Sequence, residues 1–364
     1  MKKIENFSRG MGIGGWLTNY KRFNVLPEEK RLDITIGDLE HFRSFITEND
    51  IKYIASLGMD HVRLGFDQIV LETAPFAYRE EIVGLLHSFV SWCERYDLRP
   101  IFNLHKAIGN YCDIKEELSL MDSPELQERF IALWVMLEKE FSSNKNIMFE
   151  LLNEVRDVPT EPWIELADKT VKAIRAKNPE RYIIIGGAWW NHPNELNKLK
   201  IYDDDYIIYT FHNYDPIEFT HQRGVLQSAQ LYYNRVLDWP TTEVDKYREF
   251  QKLIYNHEES YVGYDKLDIE YLRNVTFAPV RKFIKNNPDK IVWCGEFGTI
   301  RHINLKCRES YMRDVITLLN EYDIPYSVWN YLSTPNDGNR FSLVDDDTRK
   351  ILSPALAEII KGNV

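Results

Sequence analysis

The sequence predicts a closed (β/α)8 TIM barrel, in which eight parallel strands alternate with helices. Apolar runs of strand length alternate with longer amphipathic stretches, and eight such units occur in one chain. Barrels of this kind reach 364 residues as one domain. A doubly wound open sheet is the alternative, but eight units favour closure. Because no linker or low-complexity tract divides the chain, we expect a single domain over residues 1–364.

Each predicted strand is a run of apolar residues rich in β-branched and aromatic side chains. In chain order the runs are Met11–Trp16, His61–Phe66, Pro100–Leu104, Ile147–Leu152, Tyr182–Gly186, Tyr206–Phe211, Ile291–Glu296 and Tyr326–Tyr331. The glycines of Gly10–Gly15 loosely resemble a dinucleotide-binding loop. They fit a glycine-rich first strand better, because no strand precedes them and no helix follows.

Between the strands, apolar residues recur at three- and four-residue spacing, which predicts amphipathic helices. Thr47 caps a helix that Gly58 ends, and Ser123-Pro124 open another. The longer predicted helices are Glu80–Tyr96, Leu126–Phe141, Pro162–Ala176, Tyr271–Lys285, Arg308–Tyr322 and Pro354–Ile360.

The connection after the sixth strand is anomalously long. Roughly sixty residues precede the next helix, where such a loop has about 2–6. Its aromatic residues are Tyr214, Phe219, Tyr232, Tyr233, Trp239, Tyr247, Phe250, Tyr255, Tyr261 and Tyr264. We expect residues 213–267 to form a small helical insertion subdomain, with most of these rings in its own core and one or two facing a ligand.

Composition excludes several classes of protein. A formal charge of −11 and a pI near 5.4 argue against nucleic-acid and anionic-membrane partners. No apolar run approaches the roughly 18 residues of a membrane span. The aromatic content of 13% favours a carbohydrate ligand, because sugar faces stack on aromatic rings.

The termini and cysteines indicate a reducing compartment. No apolar segment follows Lys2-Lys3, so we expect a cytoplasmic protein unless a signal peptide was removed. Cys93, Cys112, Cys294 and Cys307 form no CxxC pair and are expected to be free thiols.

Polar side chains collect at the predicted carboxyl ends of the strands, where barrels hold their active sites. They are Arg63, His105, Asn153, Glu154, His212, Tyr214, Glu296 and Trp329. Each alone has a structural explanation. Their joint placement is hard to explain by packing, because ionisable groups avoid burial unless they are paired. Two strand-terminal glutamates, Glu154 and Glu296, are what glycoside hydrolysis requires.

The motifs at this edge resemble those of glycoside hydrolase family 5, the large cellulase family of clan A. They are Gly14-Gly15-Trp16, Phe45-Ile46-Thr47-Glu48, His61-Val62-Arg63-Leu64, Asn153-Glu154, His212-Asn213-Tyr214 and Gly295-Glu296-Phe297-Gly298. The resemblance runs from about residue 10 to the final helix. It is greatest to the clostridial endoglucanase C type, which carries a helical subdomain after strand six, and some elements resemble fungal exo-β-1,3-glucanases.

The resemblance implies a retaining hydrolase in which Glu296 is the nucleophile and Glu154 the general acid/base. Glu154 must then hold a proton near neutral pH, so that it can donate to the leaving oxygen. Glu296 must be ionised, and Arg63 with the Tyr214 hydroxyl can hold it so.

The same resemblance assigns supporting roles. Asn153 corresponds to the ligand of the sugar 2-hydroxyl, His105 and His212 line the −1 subsite, and Trp329 forms its floor. No metal or organic cofactor is expected.

Two further tryptophans, Trp16 and Trp190, are also expected to contact substrate. For Trp190 and its neighbour Trp189 two interpretations stay open, a wall of the aglycone subsite and ordinary packing under a loop.

The chain departs from the family pattern at three positions. Val155 follows Glu154 where many relatives have proline, Gly65 stands where proline is common, and Lys106 follows His105 where the endoglucanase C type has a second histidine. The expected substrate is a β-glucan, either β-1,4-linked or of mixed β-1,3-1,4 linkage. The alternatives are a β-mannanase, an exo-β-1,3-glucanase or β-glucosidase, and a non-catalytic carbohydrate-binding barrel.

Overall fold

The computed structural model describes residues 3–20, 36–110, 119–156, 158–224, 233, 235–257, 260–335 and 337–364. Eight parallel strands form a closed barrel in it: β1 Arg9–Leu17, β2 His61–Asp67, β3 Arg99–Lys106, β4 Met148–Glu150, β5 Tyr182–Gly186, β6 Ile207–Asn213, β7 Ile291–Phe297 and β8 Tyr326–Val328. Neighbours in the chain pair in order, and β8 closes on β1 with Gly10 opposite Ser327. The predicted (β/α)8 barrel is confirmed, and the open sheet is excluded.

Two strands end earlier than the sequence predicts. β4 stops at Glu150 and β8 at Val328. Beyond β4 the chain still follows its neighbour, because Asn153 N donates to Leu104 O at 2.9 Å. The polar residues after these strands therefore stand at the mouth of the barrel.

Helices connect the strands. The longer α-helices are Ile36–Ser44, Glu48–Ser56, Glu80–Arg95, Pro124–Glu140, Thr160–Arg175, Ala278–Asn286 and Leu305–Glu321. The shorter ones are Gln68–Leu71, Ala188–Asn191, Ile217–Thr220, Val244–Phe250, Ile269–Asn274 and Pro354–Ile360. The described residues also form a 3-10 helix at Pro193–Lys198, a π-helical turn at Gln251–Tyr255 and a hairpin of Glu72–Ala74 with Ala77–Tyr78.

Local capping signals were reliable. Thr47 forms a capping box with Asp50, and Ser123 accepts a hydrogen bond from Leu126 N at 3.3 Å. The predicted helix Tyr271–Lys285 was wrong, because two helices, Ile269–Asn274 and Ala278–Asn286, occupy that stretch. Pro279 is the reason: it cannot sit in a helix interior and instead lies in the first turn of the second helix.

The core has two layers. A small cluster fills the inside of the barrel: Phe7, Ile101, Met148, Ile184, Ile208, Ile291 and Trp293. A much larger cluster packs the outer faces of the strands against the helices. The upper interior, at the carboxyl ends of the strands, is polar instead, and this is where the predicted functional residues lie.

The long connection after β6 is partly helical. Five of its nine described aromatic side chains are buried, namely Phe219, Tyr233, Trp239, Tyr247 and Phe250. Thr241 pairs with Leu267 across it, whereas the predicted core residue Tyr232 lies outside the described residues. The division into a barrel and an insertion subdomain stays a prediction.

Within the described ranges, no helix is long and apolar enough to cross a lipid bilayer. Cys93, Cys294 and Cys307 are free thiols, and Cys112 lies outside the described residues.

Candidate active site

Arg63 of β2 is fully buried and joins three strands at the barrel mouth. Its Nε and Nη2 donate to the two carboxylate oxygens of Glu150 at 2.5 and 2.8 Å, and Nη2 also donates to Asn153 Oδ1 at 2.7 Å. Its Nη1 donates to Glu296. A buried guanidinium needs such partners, because an unpaired charge away from water is strongly unfavourable.

Glu150 was missed by the sequence analysis as a site residue. It is the last residue of β4, it is fully buried, and it forms a bidentate pair with Arg63. The signal was present, because a carboxylate within an apolar strand needs a buried partner.

Glu296, next to last in β7, is almost completely buried, and Tyr214 donates its hydroxyl to Glu296 Oε2 at 2.8 Å. Burial raises the pKa of this carboxyl above its ordinary value, and the nearby Glu154 adds to the rise. His212, Arg63 and the Tyr214 hydrogen bond oppose it. The sequence analysis expected an ionised Glu296 from its partners Arg63 and Tyr214 alone. Burial outweighs these partners, so the net shift of the Glu296 pKa is upward.

Glu154 follows β4 with a left-handed backbone φ of 40°. His212 Nδ1 lies 2.8 Å from Glu154 Oε1 and 3.7 Å from Glu296 Oε2. One carboxylate oxygen of each glutamate lies within 4.8 Å of the other. Carboxyl groups about 5–5.5 Å apart are typical of retaining glycosidases, whereas inverting enzymes need about 6.5–9.5 Å.

His212 itself is buried, and burial, together with the charge of Arg63, lowers its pKa to about 4 despite the nearby Glu296 and Glu150. The imidazole is therefore neutral at neutral pH and carries one N–H. Its other nitrogen, Nε2, lies 3.3 Å from the Nδ2 of Asn191. Asn191 was not predicted as a site residue, since no motif marks it.

The rings of Trp329 and His105 stack on each other, and the Trp329 ring lies 5.8 Å from the Arg63 guanidinium carbon. Their rings stack at 5.2 Å with an interplanar angle of 8°, and Trp329 is half-buried. Burial, aided by the charges of Lys106 and Arg63, holds the pKa of His105 well below its ordinary value. The Trp329 ring is partly exposed, and its role as the floor of the −1 subsite stays a prediction.

Glycines of β1 leave the space that Trp329 fills. A Cβ at Gly14 would lie 2.5 Å from the indole, and one at Gly12 would lie 2.7 Å from it. The glycine-rich first strand is thus explained by close packing under the tryptophan.

Trp16 does not face the site. It is fully buried, its Nε1 donates to Phe42 O at 2.6 Å, and its ring stacks on Trp92 at 6.1 Å. The predicted substrate contact of Trp16 was wrong. Gly15, at φ 71°, accompanies a register shift in β1, so Trp16 turns away from the face that Gly12 and Gly14 share.

Trp189 and Trp190 lie just after β5 and are 48% and 38% exposed. With His192 and Glu195 they line an open cleft of about 290 Å³. This exposure favours a binding wall over packing for Trp190, although substrate contact itself stays a prediction.

The three departures from the family pattern have structural counterparts. A Cβ at Gly65 would lie 3.1 Å from the His105 ring, so this glycine accommodates His105. Val155 O accepts a hydrogen bond from Trp190 N at 2.9 Å. Lys106 is buried at the end of β3.

Among the described residues, Glu154, His212 and Glu296 could together offer ligand atoms to a metal ion. Arg63 already donates to Glu296 and would repel a divalent cation there. We therefore assign no resident metal to these residues.

Comparison with known proteins agrees with this geometry. A model described as "Cellulase (glycosyl hydrolase family 5)" matches residues 28–334. The chain belongs to glycoside hydrolase family 5. This family 5 hydrolase is 34% identical over 363 residues to Endoglucanase C of Acetivibrio thermocellus, with 98% of each chain covered. It is also 34% identical over 227 residues to Cellodextrinase A of Ruminococcus flavefaciens, covering 61% of this chain and 62% of that protein.

Solved structures share the fold of the hydrolase. Endoglucanase Cel5A from Thermotoga maritima superposes with a TM-score of 0.70 at 22% identity, covering 98% of this chain and 97% of that one. The chain is thus a glycoside hydrolase on a (β/α)8 barrel, as the motifs at its strand ends predicted.

Proposed function

We propose that this hydrolase cleaves β-glucan chains by double displacement, with Glu296 as the nucleophile and Glu154 as the general acid/base. The observation that carries the proposal is the pair of carboxylate oxygens within 4.8 Å of each other at the barrel mouth. That proximity favours direct attack on the anomeric carbon over the wider spacing of the carboxyl groups that inversion needs.

Glu296 is arranged to attack. Arg63 and Tyr214 each hold one of its oxygens, which stabilises the carboxylate and fixes its orientation. In the first step an oxygen of Glu296 bonds to the anomeric carbon, while Glu154 gives its proton to the leaving glycosidic oxygen. In the second step Glu154 takes a proton from water, which attacks the same carbon and releases Glu296.

Asn153 is positioned by Arg63, which occupies its Oδ1. The Nδ2 group is left to donate to the sugar 2-hydroxyl, a hydrogen bond that strengthens in the transition state. Trp329 and His105 would support the apolar face of the sugar in the −1 subsite, and Trp190 the sugar beyond the scissile bond.

The proposed substrate is β-1,4-glucan cut internally, with mixed β-1,3-1,4-glucan as a further substrate. The similarity to Endoglucanase C over nearly the whole chain supports this choice. Cleavage of short cellodextrins is the second candidate, which the similarity to Cellodextrinase A favours. Product profiles on barley β-glucan, carboxymethylcellulose, laminarin, mannan and cellodextrins would separate these substrates.

The roles of the glutamates are tested by substitution. We expect Glu154→Gln to lose about 10²–10⁴-fold in rate, because proton donation is lost, and Glu296→Ala to lose essentially all activity. Glu161→Gln, on an exposed helix face, is the matched control and should behave as wild type.

Hydrolysis followed by NMR should show the β-anomer as the first product. Wild-type rates in either active-site variant, or an α-anomer first, would refute the proposal.

A further inference from the structure

Three consecutive residues after β5 have a left-handed backbone. Trp189, Trp190 and Asn191 have φ of 53°, 57° and 55°, and none is glycine. Each such residue costs of order 1–3 kcal/mol and persists only where its surroundings impose it. Here the turn is hydrogen-bonded to the chain directly after Glu154, since Trp190 N donates to Val155 O at 2.9 Å.

The turn points Asn191 inward while its two tryptophans are partly exposed. The Asn191 side chain is completely buried, with Nδ2 lying 3.3 Å from His212 Nε2. Gly186 provides the space, because a Cβ there would lie 2.3 Å from Asn191 Oδ1. Within the described part of the chain, Asn191 Oδ1 has no hydrogen-bond partner. The amide contacts His212 through its Nδ2 group instead.

We propose that Asn191 is a positioning residue for the general acid/base Glu154 and acts through His212. The inference rests on the function proposed above. A neutral imidazole has one N–H, and His212 Nε2 accepts from the Asn191 amide, so the ring proton lies on Nδ1. Nδ1 then donates to Glu154 Oε1 at 2.8 Å. The acidic proton of Glu154 then lies on its other carboxylate oxygen, Oε2.

The opposite amide orientation would be unproductive. If Oδ1 faced His212, the ring proton would move to Nε2 and leave Nδ1 as an acceptor. Glu154 would then donate its proton to His212 instead of to the substrate. The other charged or titratable groups acting on His212 are Glu296, Arg63, Glu150 and His105. They are already paired within the site, so the amide decides the tautomer.

The test compares two aryl glycosides with the same sugar. Phenyl β-cellobioside needs its leaving group protonated, whereas 2,4-dinitrophenyl β-cellobioside does not. For Asn191→Gly and Asn191→Ala we expect kcat/KM to fall about tenfold or more on the phenyl compound and less than about threefold on the dinitrophenyl compound. Glycine adopts the left-handed conformation without strain, and a folding defect would lower the rates on both glycosides equally.

Two further variants sharpen the comparison. Asn197→Ala removes an amide from the same segment, one that donates to Pro279 O at 2.9 Å, and should change neither rate. Gly186→Ala leaves Asn191 in place but displaces its amide, and should show the same discrimination between leaving groups.

Losses of equal size on both glycosides, or no loss on either, would overturn the role of Asn191 while leaving the proposed function intact. Failure of the wild-type enzyme on both glycosides would contradict the proposed function and this inference with it.

Discussion

At the scale of single residues, the site depends on the hydrogen bonds that Arg63 and Tyr214 donate to the carboxylate of Glu296. Burial raises the pKa of the Glu296 carboxyl, and these two partners limit the rise. A nucleophile must be ionised, so activity is lost as the pH falls through the pKa of Glu296 in the free enzyme. The acid limb of kcat/KM is therefore expected above the ordinary pKa of glutamate, near 4.3.

Removing the Tyr214 hydroxyl should move that limb. In Tyr214→Phe the carboxylate loses a hydrogen bond worth roughly 1.5 kcal/mol, so the acid limb should shift up by about one pH unit. Profiles of kcat/KM against pH measure the shift. Tyr322→Phe removes a hydroxyl that accepts from Arg273 and serves as the control. An unmoved acid limb in Tyr214→Phe would mean that Glu296 does not set it.

At the scale of elements, the connection after β6 is anchored by a buried acid. Glu218, in the short helix Ile217–Thr220, accepts hydrogen bonds from Gln251 and Tyr261 across the connection. Burial nevertheless raises the pKa of Glu218 to about 7. Because this value exceeds that of the unfolded chain, the group stabilises the fold most at low pH. That contribution is lost as the pH rises towards and through 7.

Substitution of Glu218 should remove this pH dependence. Between about pH 5 and 8 the free energy of unfolding of the wild type should fall relative to Glu218→Gln, by up to about 3 kcal/mol. Chemical denaturation at a series of pH values measures it. Glu243→Gln, which removes an exposed carboxylate paired with Lys246, is the control. Parallel curves for wild type and Glu218→Gln would contradict the assignment.

At the scale of the whole molecule, a partly buried chain of hydrogen bonds joins the strands at the amino-terminal end of the barrel. Asp60, just before β2, accepts from Ser8 N and Arg9 N at 2.9 and 3.0 Å. It also pairs with His61 Nδ1 at 2.7 Å, and His61 Nε2 lies 2.9 Å from Ser327 Oγ of β8. These contacts join β1, β2 and β8, the strands at the point of closure.

Loss of the Asp60 charge should weaken the closure. Burial disfavours the Asp60 carboxylate, but the hydrogen bonds from His61, Ser8 and Arg9 outweigh it and lower its pKa. Asp60→Asn should therefore cost about 1.5–3 kcal/mol at pH 7. The difference should vanish as the pH falls through the depressed pKa.

Thermal unfolding at pH 7 and in acid measures the effect of Asp60→Asn. The control is Asp323→Asn, which removes an exposed ion pair with Lys3 and should change stability little. Equal stability of wild type and Asp60→Asn at neutral pH would exclude this role.

The sequence by itself determined the barrel and most of its catalytic edge. Strand and helix periods are local signals, and the carboxyl ends of parallel strands must meet at one face of a closed barrel. Residues on or just after the strands, such as Arg63, Glu154, His212 and Glu296, were therefore predictable as neighbours.

Only the tertiary structure decided which side chains turn inward. Strands of a parallel barrel are buried on both faces, so alternation does not reveal the direction of Trp16 or the pairing of Glu150. A left-handed turn such as the one carrying Asn191 is imposed by contacts with distant residues and leaves no local pattern. The sequence determined which residues reach the site, and packing decided how each one acts there.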